Sequence, residues 1–189
     1  MKKLLSLLLS AALLLTMSGC MILRPILNGS IKGYIEGRLG ETLQTAFCDF
    51  TVNSAFLCNS WEGYVPSEPG YILLAAEVTV ENTMTETITM FDSDFQLQWN
   101  EGNGYDVPVT CYGVEPVSDT QFPGEYKLGI SEQRTGVLLY EIPAGYQDFA
   151  IVFLEIFEDD TEGDSYFVYF TAEDRTDGVF IPPRVEEAV

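Results

Sequence analysis

The sequence predicts an all-β protein, an antiparallel β-sandwich of about 7–9 strands. Apolar and polar residues alternate through several short segments, which is the period of a half-buried strand. Glycine, proline, asparagine or aspartate interrupts the chain roughly every 8–15 residues, as turns between short strands do. No segment beyond the first twenty residues has the apolar period of a helix. A closed β-barrel is the competing architecture.

The clearest strand covers residues 70–82, GYILLAAEVTVEN. One parity of this segment is apolar, and the other becomes polar toward its end. Pro69-Gly70 punctuates its start and Asn82 its end. The apolar positions are Ile72, Leu74, Ala76, Val78 and Val80. This strand needs an apolar surface to face, so it is predicted to lie in the core of the sandwich.

The other strands follow from the same alternation. They are predicted at residues 47–58, 85–91, 95–99, 105–112, 135–142, 149–157 and 166–170. Residues 113–128 are predicted to form a long loop, because they contain two prolines and two glycines. In the first strand, one parity is expected to face inward, and it comprises Cys48, Phe50, Val52, Phe56 and Cys58. The 149–157 strand is apolar on both parities apart from Glu155, so a central position is predicted for it.

The first twenty residues resemble a bacterial lipoprotein signal. Lys2 and Lys3 precede an apolar run over residues 4–15, which is too short to span a bilayer because that takes ~20 residues. Small residues then precede Cys20, although Met17 stands where leucine is usual. The resemblance implies cleavage before Cys20 and a diacylglyceryl group on its thiol. An ordinary secretory signal or an uncleaved anchor is the alternative.

Four parts make up the predicted organisation of the chain. They are a lipoprotein signal peptide at 1–19, a flexible, lipid-anchored tether at 20–44, the β-sandwich domain at 45–171, and an acidic tail or edge strand at 172–189. The tether is inferred from scattered glycines and the absence of a sustained apolar period.

The charge of the chain excludes several functions. There are 9 basic and 29 acidic residues, a net charge of -20, and all but 4 of the basic residues precede residue 59. Such a chain repels phosphate backbones, so no nucleic-acid partner is expected. Histidine is absent, which removes the commonest general base and metal ligand. We therefore expect no enzyme and no cofactor, and a carboxylate-based hydrolase is the least favoured hypothesis.

Three segments resemble a family of secreted and lipoprotein domains of unknown function from bacteria. They read EPGYILLAAEVTVENTMTE, DFQLQWNEGNGY and GVLLYEIPAGYQDFAIVF. The resemblance covers roughly residues 40–170. It implies an immunoglobulin-like, telokin-like β-sandwich of a kind common in lipoproteins of Gram-positive bacteria. The family has no established general function, and it offers no catalytic residues to carry over.

Three cysteines remain if Cys20 is lipidated. Cys48 and Cys58 lie ten residues apart in one predicted strand, roughly 33 Å when extended, whereas a disulfide permits about 6 Å between Cα atoms. Cys111 could pair with either of them across the sandwich, as in immunoglobulin-type domains. Otherwise all three are small buried hydrophobic residues.

One predicted loop contains large aromatic residues that strand packing does not require. It contains Trp61 and Tyr64, which are either exposed contact residues or a cap folded back over one end of the sandwich. Tyr105 and Tyr112 are candidates to extend such a surface.

The acidic turn after the 149–157 strand invites a calcium interpretation. Its candidate ligands are Asp159, Asp160, Glu162 and Asp164. However, the twelfth position of an EF-hand counted from Glu158 is Tyr169, where a bidentate glutamate is needed, and the flanks are strands. A solvated hairpin turn is the better account, and no metal is predicted.

These observations lead to a function of a general kind. We expect a non-enzymatic binding module, attached to the cell membrane through lipidated Cys20, facing the extracytoplasmic side and engaging another protein of the cell envelope. The alternative is a lipoprotein that binds a saccharide, a small ligand or calcium.

Overall fold

The computed structural model describes residues 33–157 and 159–176, where almost all regular structure is β. The strands are β1 (Tyr34–Arg38), β2 (Thr42–Gln44), β3 (Cys48–Cys58), β4 (Tyr71–Asn82), β5 (Ile88–Phe91), β6 (Phe95–Trp99), β7 (Gly104–Asp106), β8 (Glu125–Leu128), β9 (Gln133–Pro143), β10 (Asp148–Ile156), β11 (Glu162–Thr171) and β12 (Glu173–Asp174). Twelve strands in the described residues exceed the predicted 7–9, and five of them have four or fewer residues.

Two sheets form the sandwich, and this confirms the predicted fold class. The first sheet has the order β1-β11-β10-β6-β7, and the second has the order β12-β3-β4-β9 with β2 beside β3. Strands β5 and β8 make a small separate sheet. Neighbouring strands are antiparallel except for two short edge strands, because β1 runs parallel to β11 and β12 runs parallel to β3.

Aromatic rings fill the space between the two sheets. Phe50 of the second sheet lies 5.4 Å from Phe95 and 5.6 Å from Phe153 of the first, measured between ring centroids. Tyr166 lies 6.3 Å from Phe153, and Tyr140 donates a hydrogen bond of 2.9 Å to the carbonyl of Phe95. The buried hydroxyl is therefore satisfied, and it ties the sheets together.

Strand β4 lies at the centre of the second sheet, between β3 and β9. Its predicted apolar parity is buried as expected. The opposite parity is also buried at Leu73 and Ala75, because a second hydrophobic cluster covers the outer face of this sheet. Loops 59–70 and 107–122 supply the cover. The cluster consists of Cys58, Leu73, Ala75, Val109, Val137 and Leu139, with Phe56, Trp61, Tyr64, Val114 and Val117 packed against it.

The inward parity predicted for β3 is wrong in its second half. Val52 pairs with Val78, but the next registered pair is Ser54 with Glu77, so one extra residue forms a β-bulge. Beyond the bulge the alternation reverses. Leu57 therefore packs in the core between the sheets, whereas Phe56 and Cys58 join the cluster on the outer face.

The prediction of a tether over 20–44 is wrong for the residues from 34 onward. Strand β1 pairs with β11 and β2 pairs with β3, so the sandwich begins about ten residues earlier than predicted. Gly37 is buried, and a Cβ there would come within 2.9 Å of the Leu43 side chain. Its small size thus serves close packing rather than flexibility. The predicted signal peptide and Cys20 lie outside the described residues.

Two further boundaries differ from the prediction. Strand β7 ends at Asp106, and residues 109–112 form a 3-10 turn after Pro108, which has no N–H to continue a ladder. Within the predicted 113–128 loop, β8 pairs with β5. In the predicted tail, β12 pairs with β3 and residues 177–189 lie outside the described part.

Candidate functional site

The two sheets differ in what covers their outer faces. Loops bury the outer face of the second sheet, as described above. Within residues 33–157 and 159–176, no comparable cluster lies on the outer face of the first sheet. Instead, that face keeps large aromatic side chains in contact with solvent, and Tyr34 is 56% and Tyr105 is 71% exposed. Large exposed apolar groups on a folded domain mark candidate interaction sites.

Strand register aligns side chains in a row across the first sheet. Arg38 pairs with Tyr169, Tyr169 with Ala150, Ala150 with Gln98, and Gln98 with Tyr105. Directly paired residues point to the same face of a sheet, so all five share the outer face. Three strand spacings separate Tyr169 from Tyr105, which amounts to roughly 14 Å.

A second row lies beside the first, two residues along each strand. Glu36, Phe167, Val152 and Gln96 are paired in this order across β1, β11, β10 and β6. Ala150 and Val152 of β10 are small and are buried beneath the longer flanking side chains. The surface presented to solvent therefore consists mainly of rings and amides.

The rings of this surface support one another. The Phe167 and Tyr169 rings are 6.0 Å apart and nearly parallel, and the Tyr34 ring lies 4.5 Å from that of Phe167. The Tyr34 and Tyr169 hydroxyls are hydrogen-bonded to each other, and the Arg38 guanidinium lies 5.4 Å from the Tyr169 ring centroid. The hydrogen bond to Tyr169 raises the pKa of Tyr34 to about 12, so its hydroxyl stays neutral at physiological pH.

We call this surface the aromatic face. It comprises Tyr34, Gln96, Gln98, Tyr105, Phe167 and Tyr169, above Ala150 and Val152. Its centre carries no charge, although the whole chain has a net charge of -20. Charged side chains border it at Glu36 and Arg38 on the edge strand β1, and at the exposed Asp148 of β10, two residues before Ala150.

Trp61 and Tyr64 lie elsewhere, half-buried against the outer face of the second sheet. The Trp61 ring lies 5.7 Å from that of Phe56, and the Tyr64 hydroxyl donates a hydrogen bond to Glu141. Glu141 also accepts from the Ser67 N–H at 2.9 Å, so one carboxylate fastens the loop at two points. Burial raises the pKa of Tyr64. These contacts pack both aromatic residues on the outer face of the second sheet rather than over one end of the sandwich.

The acidic turn does not bring its carboxylates together. An oxygen of Asp159 accepts a hydrogen bond from the Thr161 N–H at 3.1 Å, and Asp164 accepts from the Gly33 N–H at 2.7 Å. Asp160 and Glu162 are exposed. Among the described residues, which exclude Glu158, no three acidic, cysteine or histidine side chains are grouped as metal ligands would be.

Cys48, Cys58 and Cys111 are free thiols, so neither predicted bridge is formed. Cys48 lies in the core between the sheets, Cys58 lies in the outer cluster of the second sheet, and Cys111 is exposed. The bulge in β3 explains why the first two face opposite ways. Loss of hydration raises the pKa of Cys48 to about 12 and of Cys58 and Cys111 to about 11, so all three remain protonated thiols.

The sequence does not predict the aromatic face. It marks Tyr105 only as a candidate to extend a surface around Trp61 and Tyr64, it places Tyr34 in a tether, and it gives Phe167 and Tyr169 no role beyond the last strand. One signal was present in the sequence: residues 166–170 are apolar or aromatic on both parities. Tyr112, the other candidate, is 69% exposed and donates a hydrogen bond of 2.6 Å to Asp106.

Comparison with solved structures finds the same fold in bacterial proteins. The ycdA protein of Bacillus subtilis, provisionally called a lipoprotein, superposes with a TM-score of 0.54 at 14% identity, over 71% of this chain and 39% of that protein. This chain thus spans well under half the length of that protein. The secreted protein MPT63 of Mycobacterium tuberculosis superposes with a TM-score of 0.51 at 15% identity, over 72% of this chain and 98% of that one. No curated protein matches the chain.

A family model also matches the sequence itself. The match covers residues 37–162, more than half of the chain, and it includes the three segments that carried the family resemblance. The protein therefore belongs to the family described as Domain of unknown function (DUF4352).

Proposed function

We propose that the protein is a non-catalytic binding module, anchored to the outer side of the cell membrane through lipidated Cys20, whose aromatic face contacts a macromolecule of the cell envelope. One observation carries the proposal. Among residues 33–157 and 159–176, loops cover the outer face of one sheet, whereas the other sheet presents rings and amides to solvent. An uncovered face with this composition is suited to contact a ligand.

The chemistry of the aromatic face favours binding over catalysis. Phenol and amide groups at its centre donate and accept hydrogen bonds, whereas acid–base catalysis uses paired titratable groups held close to substrate. The chain has no histidine. The buried carboxylate of Glu155 is occupied by structural hydrogen bonds to Ala46, Asp164 and Tyr166.

The proposed location is supported by the sequence. A short apolar run and small residues precede Cys20, as in bacterial lipoprotein signals. Among residues 33–157 and 159–176, no helix is long and apolar enough to cross a membrane. The location also accords with the names of the two fold neighbours, one called a lipoprotein and the other a secreted protein.

Fractionation of cells tests the anchor. The full chain and its Cys20→Ala variant are expressed in a bacterial host, and membranes are separated from the culture medium. We expect the wild type in the membrane fraction, from which detergent extracts it. We expect the variant to lose this association, because acyl chains supply the anchoring energy. A variant that stays on the membrane as the wild type does would contradict the anchor.

Retention on cell envelopes tests the aromatic face. The purified full chain, in detergent micelles, is mixed with lipid-free sacculi stripped of anionic wall polymers, and the bound fraction is measured. We expect retention of the wild type and its loss in Tyr105→Ala. The matched control is Phe91→Ala, which removes an aromatic side chain that is 43% exposed on the small β5–β8 sheet. Equal retention of all three proteins would contradict the proposed function.

A further inference from the structure

We infer, on the basis of the proposed function, that the aromatic face binds an uncharged polysaccharide chain laid across the row from Tyr169 to Tyr105. The sequence alone favours a protein partner over a saccharide and does not point to this face. Three properties favour the saccharide. They are the unused hydrogen-bonding groups of the aromatic face, its mutually packed rings, and its uncharged centre on a strongly acidic protein.

The polar groups of the aromatic face are available to a ligand. Within residues 33–157 and 159–176, the amides of Gln96 and Gln98 and the hydroxyl of Tyr105 make no hydrogen bond to the protein. Each amide offers donors and an acceptor, and the phenol offers one of each. Sugar hydroxyl and acetamido groups also both donate and accept. The three side chains lie on adjacent strands, so one extended ligand can meet all of them.

The rings of the aromatic face supply apolar contact at low entropic cost. Tyr34, Phe167 and Tyr169 already hold one another through ring contacts and a hydroxyl–hydroxyl bond. Ordering them on binding therefore costs little conformational entropy. Tyr105 stands at the opposite end of the row. The span of roughly 14 Å between them suits an oligosaccharide, whose C–H surfaces pack on aromatic rings.

The charge of the protein favours an uncharged glycan over other possible ligands of the aromatic face. With a net charge of -20, the protein repels nucleic acids, anionic wall polymers and anionic lipid surfaces. A second copy of this chain would bring an equal negative charge to the interface. An uncharged polysaccharide meets no such repulsion, and the uncharged centre of the aromatic face offers it hydrogen bonds without requiring desolvation of an ion.

Binding of defined oligosaccharides tests the inference. The probes are chitohexaose and cellohexaose, which are uncharged, and a hyaluronan oligosaccharide of similar length, which carries carboxylates. Calorimetry is carried out with the full chain in detergent micelles. We expect at least one uncharged probe to bind and hyaluronan to bind at least tenfold more weakly. We expect about tenfold weaker binding in Tyr105→Ala and in Gln98→Ala, and unchanged binding in Phe91→Ala.

The outcomes separate this inference from the proposed function. If neither uncharged probe binds, or if Phe91→Ala weakens binding as much as Tyr105→Ala, the inference is overturned. If sacculi still retain the wild type in preference to Tyr105→Ala, the aromatic face has a ligand of another class, a protein for example, and the proposed function stands. If uncharged probes bind at Tyr105 but sacculi retain the wild type and Tyr105→Ala equally, the inference is supported and the proposed role on the envelope is overturned.

Discussion

Val78 is fully buried at the centre of the second sheet, where it pairs with Val52 and Gly136. Val78→Asp places an unpaired carboxylate in the core, so we expect a loss of more than about 4 kcal/mol in the free energy of unfolding, enough to unfold the domain. Denaturant titration measures it. The same change at Val65, which is 37% exposed, should cost little. Similar stability of the two variants would contradict the assigned core.

Glu155 is a buried carboxylate that satisfies donors from both halves of the sandwich. It accepts hydrogen bonds from the Ala46 N–H at 2.7 Å, the Tyr166 hydroxyl at 2.7 Å and the Asp164 N–H at 2.9 Å. Ala46 lies between two strands of the second sheet, and the others belong to the first. The side chain therefore links the sheets at one end of the core.

Glu155→Gln should weaken this link. In either orientation of the glutamine amide, its NH2 group faces a hydrogen-bond donor, so at least one hydrogen bond is lost. The free energy of unfolding should therefore fall by about 1–3 kcal/mol. Denaturant titration against Glu77→Gln, which changes an exposed glutamate on β4, isolates the effect of burial. An unchanged or increased stability in Glu155→Gln would show that the link is not stabilising.

Asp92 provides a test based on pH. It is buried, and burial raises the pKa of its carboxyl above 3.8, although hydrogen bonds from Thr110 and Cys111 offset part of that rise. The folded state therefore holds this proton more tightly than the unfolded state does. Its contribution to stability should increase as the pH falls from neutrality toward 3.8.

Comparison with Asp92→Asn isolates this contribution, because asparagine does not titrate. Unfolding free energies of both proteins are measured across the pH range. We expect the wild type to gain stability relative to Asp92→Asn as the pH falls. A difference that is constant, or that changes in the opposite direction, would refute the assigned shift in pKa.

At the scale of elements, Gly104 begins edge strand β7 against Trp99. A Cβ at this position would overlap the Trp99 indole, so Gly104→Ala must displace β7 or the ring. We expect a loss of about 1–3 kcal/mol in unfolding free energy. Gly124→Ala is the matched control, since a Cβ there meets nothing within 4 Å. Equal thermal stability of the two variants would show that β7 is not packed as described.

Local alternation was sufficient to predict the long strands but not their edges. Strand β4 has one wholly apolar parity, and that parity is buried as predicted. The bulge in β3 arises from its pairing with β4, and the sequence of β3 alone does not indicate it. Alternation alone therefore predicts the wrong face for Phe56 and Cys58. Strand β1 pairs with β11, which is more than 120 residues later in the chain. Gly37 in β1 is one of the scattered glycines from which the tether is predicted.

The aromatic face could not be assembled from the sequence for a similar reason. It needs the strand order β1-β11-β10-β6-β7, in which neighbours such as Tyr34 and Phe167 are far apart in the chain. The surface that Trp61 packs on could not be predicted either. The sequence leaves open an exposed contact or a cap over one end of the sandwich, and the apolar outer face of the second sheet becomes visible only once its strands are paired.

At the scale of the whole molecule, the sandwich has two unlike outer sides. In the described part of the chain, one side is covered by loops, and the other presents an aromatic face whose centre carries no charge, on a strongly acidic protein. The loops therefore complete the fold, while a sheet face is the surface that we propose for a ligand. The anchor would hold this surface near the envelope, where polymers of high local concentration make even modest affinity effective.

Hydroxyl-radical footprinting on sacculi tests this division most directly. Side-chain oxidation of the full chain is compared between the free and the sacculus-bound protein. We predict protection of Tyr34 and Tyr105 on the aromatic face and unchanged oxidation of Phe91 and Ile130, which are exposed elsewhere. Protection of Phe91 or Ile130 with unchanged oxidation of Tyr34 and Tyr105 would contradict the assignment of the aromatic face as the binding surface.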